Sequence, residues 1–320
     1  MKNIPSPSVL LFSKKLASIL FIVSAAAAQA SVIVNESFDY SDGLLVGQTG
    51  TGSGFTGDWG LATGFGAGNN NGANFFLATS GSLTMNGVYS SGGRLSFASS
   101  ENQTKAITRA FSAPLSTGTL YGSYLFQIVA DTGAQGRTVG GIMANTAGDT
   151  DNTATFVWAG NGYNSSTTVE GPNIRVEGTG SPVPTFSLTV STTYLMLFEF
   201  NATAKTTSAW VLNQDQLTNF YGSLNSATLN GAIGNTEAAT GVVWKGSVTS
   251  SGTLGSMTNL TTIGLASTQG FSYAFDWDEI RISDTSLLQA VAVPEPSTIA
   301  VLGLALGTFA VRGLLRRRNA

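Results

Sequence analysis

The sequence predicts an all-β body, a sandwich or barrel, set between two apolar ends that carry basic flanks. Three observations lead there. Runs rich in β-branched and aromatic residues alternate with clusters of Gly, Asn, Ser and Asp, and apolar periodicity of helical length is missing between them. The 320 residues include 39 Gly but only 15 basic and 18 acidic residues, so turns are plentiful and charged helical faces scarce.

The first element is a leader. Lys14 and Lys15 close a basic region, Leu16–Ala28 is a short apolar stretch, and Ala28-Gln29-Ala30 supplies a small-x-small pattern before Ser31. Thirteen helical residues reach only about 20 Å, short of a bilayer core. Residues 1–30 are therefore expected to be a signal peptide, removed by signal peptidase after Ala30.

Residues 31–289 form the predicted sandwich. Expected strands are Val32–Phe38, Phe75–Thr79, Arg94–Ala98, Ala106–Phe111, Thr119–Ala130, Thr138–Ala144, Thr155–Trp158, Asn173–Glu177, Thr185–Val190, Tyr194–Asn201, Ser208–Leu212, Thr261–Leu265 and Phe271–Ser283. Tyr194-Leu195-Met196-Leu197-Phe198 is apolar at every position, which predicts a central strand covered on both faces. A short helical turn is expected over Asp215–Leu224, with Asp215 as its cap. About a dozen strands with turn residues between them argue for a sandwich or barrel. Ala290–Val293 reads as a spacer.

The last element, 290–320, opens with Pro294-Glu295-Pro296. Ile299–Val311 is then apolar apart from Gly and Thr308, and Arg312, Arg316, Arg317 and Arg318 follow. A helix over 299–315 would be about 25 Å long, enough to span if Arg312 snorkels. The arginines would stay cytoplasmic and leave the body on the far side. Two prolines hold the motif extended and out of the following helix. This order of short motif, apolar span and Arg tail resembles the PEP-CTERM sorting signal of Gram-negative bacteria. The resemblance implies recognition of Pro294, Glu295 and Pro296 by an exosortase, a transient inner-membrane anchor, and delivery to the cell surface or extracellular matrix.

Two further stretches resemble the terminal strands of concanavalin A-like (LamG-type) jelly rolls. They are Glu36-Ser37-Phe38-Asp39-Tyr40, leading to Gly57-Asp58-Trp59, and Phe275-Asp276-Trp277-Asp278-Glu279-Ile280-Arg281-Ile282. The resemblance implies that the first and last strands lie side by side in a jelly-roll β-sandwich.

Composition excludes much chemistry. With no Cys and no His there is no disulfide, thiol nucleophile, imidazole base or Cys- or His-ligated metal. Eight basic and 17 acidic residues fall within 31–293, a net charge of −9 that argues against nucleic acid and anionic lipid.

The remaining motifs each have a structural and a chemical reading. Gly52-Ser53-Gly54-Phe55-Thr56-Gly57 has G-x-G-x-x-G spacing, but it opens no helix and is expected to be a surface loop, not a phosphate site. On a regular strand Asp276 and Asp278 would share a face with Ile280 and Ile282, while Glu279 points away with Trp277 and Arg281. That pair could flank Ca²⁺ or a sugar, although a structural role is the expected one. Related jelly-roll glycan hydrolases carry E-x-D-x-E or E-x-D-x-x-E on one strand, and neither pattern occurs here, so no catalytic residue is expected. Glu170, Glu177 and Glu199 are scattered acids that nothing in the sequence brings together. Asp149-Thr150-Asp151-Asn152 is a fragment of a Ca²⁺ loop, expected to be a solvated turn. Trp59, Trp158, Trp210, Trp244 and Trp277 are either core or sugar-stacking platforms. The expectation is an exported, non-catalytic structural or adhesive protein without a cofactor. A lectin-like carbohydrate-binding module, with Ca²⁺ as an option and extracellular polysaccharide as partner, is the alternative.

Overall fold

The structure, a computed structural model, describes residues 32–50, 52–61, 76–99, 105–115, 118–131, 139–145, 156–164, 169–176, 179–180, 188–201, 203–204, 206–232, 244–249, 260–267 and 273–291. Sixteen strands in these residues pair antiparallel throughout. They are β1 (Val32–Glu36), β2 (Gly43–Leu44), β3 (Phe55–Leu61), β4 (Phe76–Ser80), β5 (Gly93–Ser99), β6 (Lys105–Leu115), β7 (Thr119–Asp131) and β8 (Val139–Asn145). They continue with β9 (Phe156–Asn164), β10 (Val169–Val176), β11 (Thr179–Gly180), β12 (Thr193–Asn201), β13 (Thr206–Leu212), β14 (Trp244–Thr249), β15 (Leu260–Ser267) and β16 (Tyr273–Ser283). One sheet runs β14-β13-β12-β7-β16-β5-β4-β2, with β1 also on β16; the other runs β11-β10-β9-β8-β15-β6-β3.

The terminal strands do lie side by side: Val34 pairs with Ile282 and Glu36 with Ile280. The architecture is the expected antiparallel jelly-roll sandwich, and Val32–Ala292 is one compact unit.

Alternation along the strands builds two cores on the nine-stranded sheet. Its inward side chains include Phe76, Phe97, Tyr124, Phe126, Tyr194, Met196, Phe275 and Trp277, which meet Ile107, Phe111, Ile263 and Leu265 of the facing sheet. Phe126 stacks on Phe275 with ring planes 9° apart, and Phe275 lies 4.6 Å from Trp277. Such pairs add about 0.5–1.5 kcal/mol beyond area burial. Gly122 stands opposite Phe198 in register, and any Cβ there would overlap the Phe198 ring.

The outward face is buried as well. Leu125, Leu195, Leu197, Trp210 and Leu212 are covered by the 81–92 loop and by helices α1 (Gln214–Phe220), α2 (Ser226–Gly231) and α3 (Leu287–Val291). The apolar run 194–198 is thus covered on both faces, as its sequence predicts.

Local differences have local causes. The helix over 214–220 is capped by Asn213, not Asp215. Asn213 accepts from the Gln216 N–H and Gln216 reaches back to the Asn213 N–H, a reciprocal capping box. Thr185–Val190 forms no strand in its described part; residues 188–191 turn, with Ser191 at φ 60°. Ala290 and Val291 are not spacer but fully buried helix. Short β2 and β3, and β14, escape the sequence reading because their composition is Gly-rich or polar.

Candidate functional site

The densest chemistry lies on β16, where the expected alternation fails. From Asp278 to Arg281 the strand carries one residue more than β7 does from Leu125 to Ser123, and Glu279 sits in the left-handed region at φ 53°. This bulge turns the strand over by one position. Phe275 and Trp277 face inward, and so do Ile280 and Ile282. Asp276, Asp278, Glu279 and Arg281 therefore share the outward face. The expected grouping of Asp276 and Asp278 with Ile280 and Ile282, and of Glu279 with Trp277, is corrected accordingly.

All four charged groups are buried and engaged. Asp278 accepts from the N–H of Leu83 and from that of Glu279, both at 2.8 Å. Glu279 accepts from the Ser91 N–H and pairs with Arg281. Arg281 also donates to Asn35 Oδ1, to the Tyr89 carbonyl and to the Val291 carbonyl. Asp276 pairs with Arg94, which in turn holds the carbonyls of Ser80 and Gly81. Burial, reinforced by neighbouring Glu279, pushes the Asp278 carboxyl up to about 9. Burial lifts Glu279 to about 7 against the opposing pull of Arg281. The cluster ties the 81–92 loop and α3 to the sheet, which is the structural role.

A second charged group crosses the sandwich. Glu36 on β1 meets Arg109 on β6 at 2.7 Å, with both side chains at or below 4% exposure. Tyr40 donates to Glu36 and accepts from Arg109 Nη1 and from Trp59 Nε1. Burial raises the Glu36 carboxyl and the Tyr40 phenol.

The glycine-rich segment closes over this group. A Cβ on Gly50 would stand 2.5 Å from Arg109 Nη1, and one on Gly52 would stand 2.7 Å from the Asn35 carbonyl. Ser53 bridges to Asn35 through both backbone bonds, and Gly54, at φ 83°, lies on the Ile33 carbonyl. The G-x-G-x-x-G stretch is thus a packed closure across β1, more than a surface loop. It binds protein backbone, which explains its glycines without phosphate.

Trp59, Trp210 and Trp277 are each at most 1% exposed and belong to the cores. Nothing is described of the Trp158 and Trp244 side chains. Among the described residues an open depression of about 440 Å³ is lined by Thr84, Met85, Ser191, Thr192, Thr193, Asn213, Gln214 and Asp215. Gln214 joins its walls, accepting from the Asn86 N–H and donating to the Asn86 carbonyl. Hydroxyls, amides and one carboxylate suit hydrogen bonding to a neutral polar ligand.

The predicted site residues at the ends lie outside the described residues: Ala28, Ala30 and Ser31; Pro294, Glu295 and Pro296; and Arg312, Arg316, Arg317 and Arg318. So do the 299–315 helix, Asp149–Asn152 and Glu177. Glu170 falls on β10, of whose side chains nothing is described, and Glu199 binds Ser226. Among the described residues no helix is long and apolar enough to cross a membrane, and no cluster of three acids is placed to hold a metal.

The chain's own ending decides the comparison with known families. Residues 292–318 match the PEP-CTERM protein-sorting motif. This chain carries a PEP-CTERM sorting signal. The motif implies export, membrane-associated sorting and exosortase processing. No curated protein matches the chain by sequence. Among solved structures, peanut lectin with a nonapeptide is 12% identical, covering 70% of this chain and 96% of its own, with a TM-score of 0.38. The Bauhinia forficata lectin in complex with GalNAc is 13% identical over 77% and 100%, TM-score 0.39. A sialidase is 8% identical over 71% of this chain and 17% of its own, TM-score 0.37.

Proposed function

We propose that this chain is an exported cell-surface or extracellular-matrix protein of a Gram-negative bacterium. Its sandwich serves a structural or adhesive role without catalysis. A signal peptide over 1–30 starts export, and the tail holds the protein transiently in the inner membrane until an exosortase-type enzyme processes it. One observation carries the reading: the sorting motif starts at residue 292, directly after Val291, a fully buried residue of the body. Body and address label are therefore contiguous but separable. The buried acids support the absence of catalysis, because Glu36, Asp276, Asp278 and Glu279 are all engaged in holding loops and sheets. Replacing Pro294, Glu295 and Pro296 by alanine should abolish tail removal and surface display in the native host. Unchanged processing would leave a permanent tail anchor.

The depression beside Asn213 favours a second reading, a carbohydrate-binding module for neutral sugars. Its lining offers hydroxyls and amides and no basic group. A glycan array with and without chelator separates the two, since a plain scaffold shows no saturable binding. Loss with chelator would add Ca²⁺ to the module.

A further inference from the structure

The way the body ends limits where the tail can be removed, an inference that rests on the sorting reading above. After β16 the chain turns through Ser283, whose hydroxyl accepts from the Thr285 N–H, into α3. Leu287, Ala290 and Val291 are then at most 1% exposed. The last carbonyls of a helix lack intrahelical partners. Here two of them are taken up by the sheet: Ala290 O accepts from Ser123 Oγ on β7, and Val291 O accepts from Arg281 Nη1 at 3.0 Å. Arg281 is itself unable to swing away, because Glu279, Tyr89 and Asn35 hold its other donors.

A processing enzyme binds its target as an extended segment, so every bond from 287 to 291 is shielded until α3 undocks. We propose that tail removal leaves α3 on the body: the cut falls after Val291, and Arg281 with Ser123 forms the latch that sets this limit. With water as the acceptor, one peptide C–N bond breaks. Hydroxide is added at the carbonyl carbon to give the body a new carboxylate, and the proton goes to the departing amine of the tail. Retaining α3 also keeps Arg281 from facing Glu279 and Asp278 with one of its bonds unmade.

The test uses the full chain in its native host. Mass spectrometry of the processed protein should give a C-terminal peptide that includes Val291. A terminus at Ala290 or earlier overturns the proposal. Purified full-length protein, treated in detergent with a broad-specificity protease, should resist cutting within 287–291 until the body unfolds. Ser123→Ala removes one bond to Ala290 O and should speed cutting there about fivefold, with the body still folded at the assay temperature. An unchanged rate, or ready cutting within 287–291 of the unaltered protein, removes the latch. Recovery of the exported chain intact through Ala320 instead sinks the sorting reading and the cut with it, while the protease result still judges the latch.

Discussion

On its inward face the nine-stranded sheet meets its partner across aromatic rings and the Glu36–Arg109 ion pair; on its outward face it buries Asp276, Asp278, Glu279 and Arg281 beneath a loop and three helices. The inward pair joins two side chains on two sheets, with Tyr40 and a few backbone groups as company. The outward group works mainly through backbone: the N–H groups of Leu83 and Ser91 and the carbonyls of Tyr89 and Val291. Apolar packing holds the sheets together without instruction. Irregular segments have no ladder to join, so buried side chains must satisfy their polar groups.

The sharpest way to break this contrast is at Arg281. Arg281→Met should cost about 3–5 kcal/mol in denaturant unfolding, because Glu279 loses its counter-charge and the Tyr89 and Val291 carbonyls lose their donor inside the protein. Removing the partner acid as well, with Glu279→Gln, should recover little, since the Tyr89 and Val291 carbonyls remain unpaired. At the inward pair the cycle should come out differently: Glu36→Leu combined with Arg109→Met should cost less than Arg109→Met alone. Equal cycles at the two sites would erase the distinction.

Gly50→Ala probes the closure over the inward pair. Its Cβ would push into Tyr40 and Arg109, and a loss of about 1–3 kcal/mol is expected by thermal or denaturant unfolding. Gly57→Ala in the same stretch meets no neighbouring atom and should lose less, through its φ of 70° alone.

The pH dependence sharpens the outward face. At low pH the carboxyls of Asp278 and Glu279 are protonated in both states and nothing is lost. As pH rises past their ordinary values of 3.8 and 4.5, the unfolded chain ionises first and gains on the folded one. That loss of stability continues until the folded groups ionise, near 7 for Glu279 and near 9 for Asp278. Melting temperature should therefore fall between pH 5 and pH 9. Asp278→Asn should flatten the upper part of this slope while lowering stability at pH 5, because one amide must face an N–H. The smallest effect belongs to Asp276→Asn: its partner Arg94 is 29% exposed, and a change below about 1 kcal/mol is expected.

Much of the fold is legible in the residues. Thirteen strands are anticipated, twelve of them found, and the apolar run 194–198 announces a strand covered twice. Both halves of the terminal pairing show in Glu36–Tyr40 and Phe275–Ile282. The charged cluster is legible as a list but not as an arrangement. Strict alternation places Glu279 on the wrong side, because a one-residue bulge leaves no mark in composition. The Glu36–Arg109 bridge spans 73 positions, and local pattern carries no information over that distance. The depression is equally hidden, since Thr84, Ser191 and Gln214 meet only through tertiary folding.

The position of β16 reaches into the protein's biogenesis. This final strand lies between β7 on one side and β5 and β1 on the other, so a nascent chain ending before residue 273 has neither a closed sheet nor a completed aromatic centre. Partners separated by over 240 residues, such as Asn35 and Arg281, carry a high loop-closure cost. A polypeptide built this way can close its larger sheet only after nearly the whole body has been synthesised.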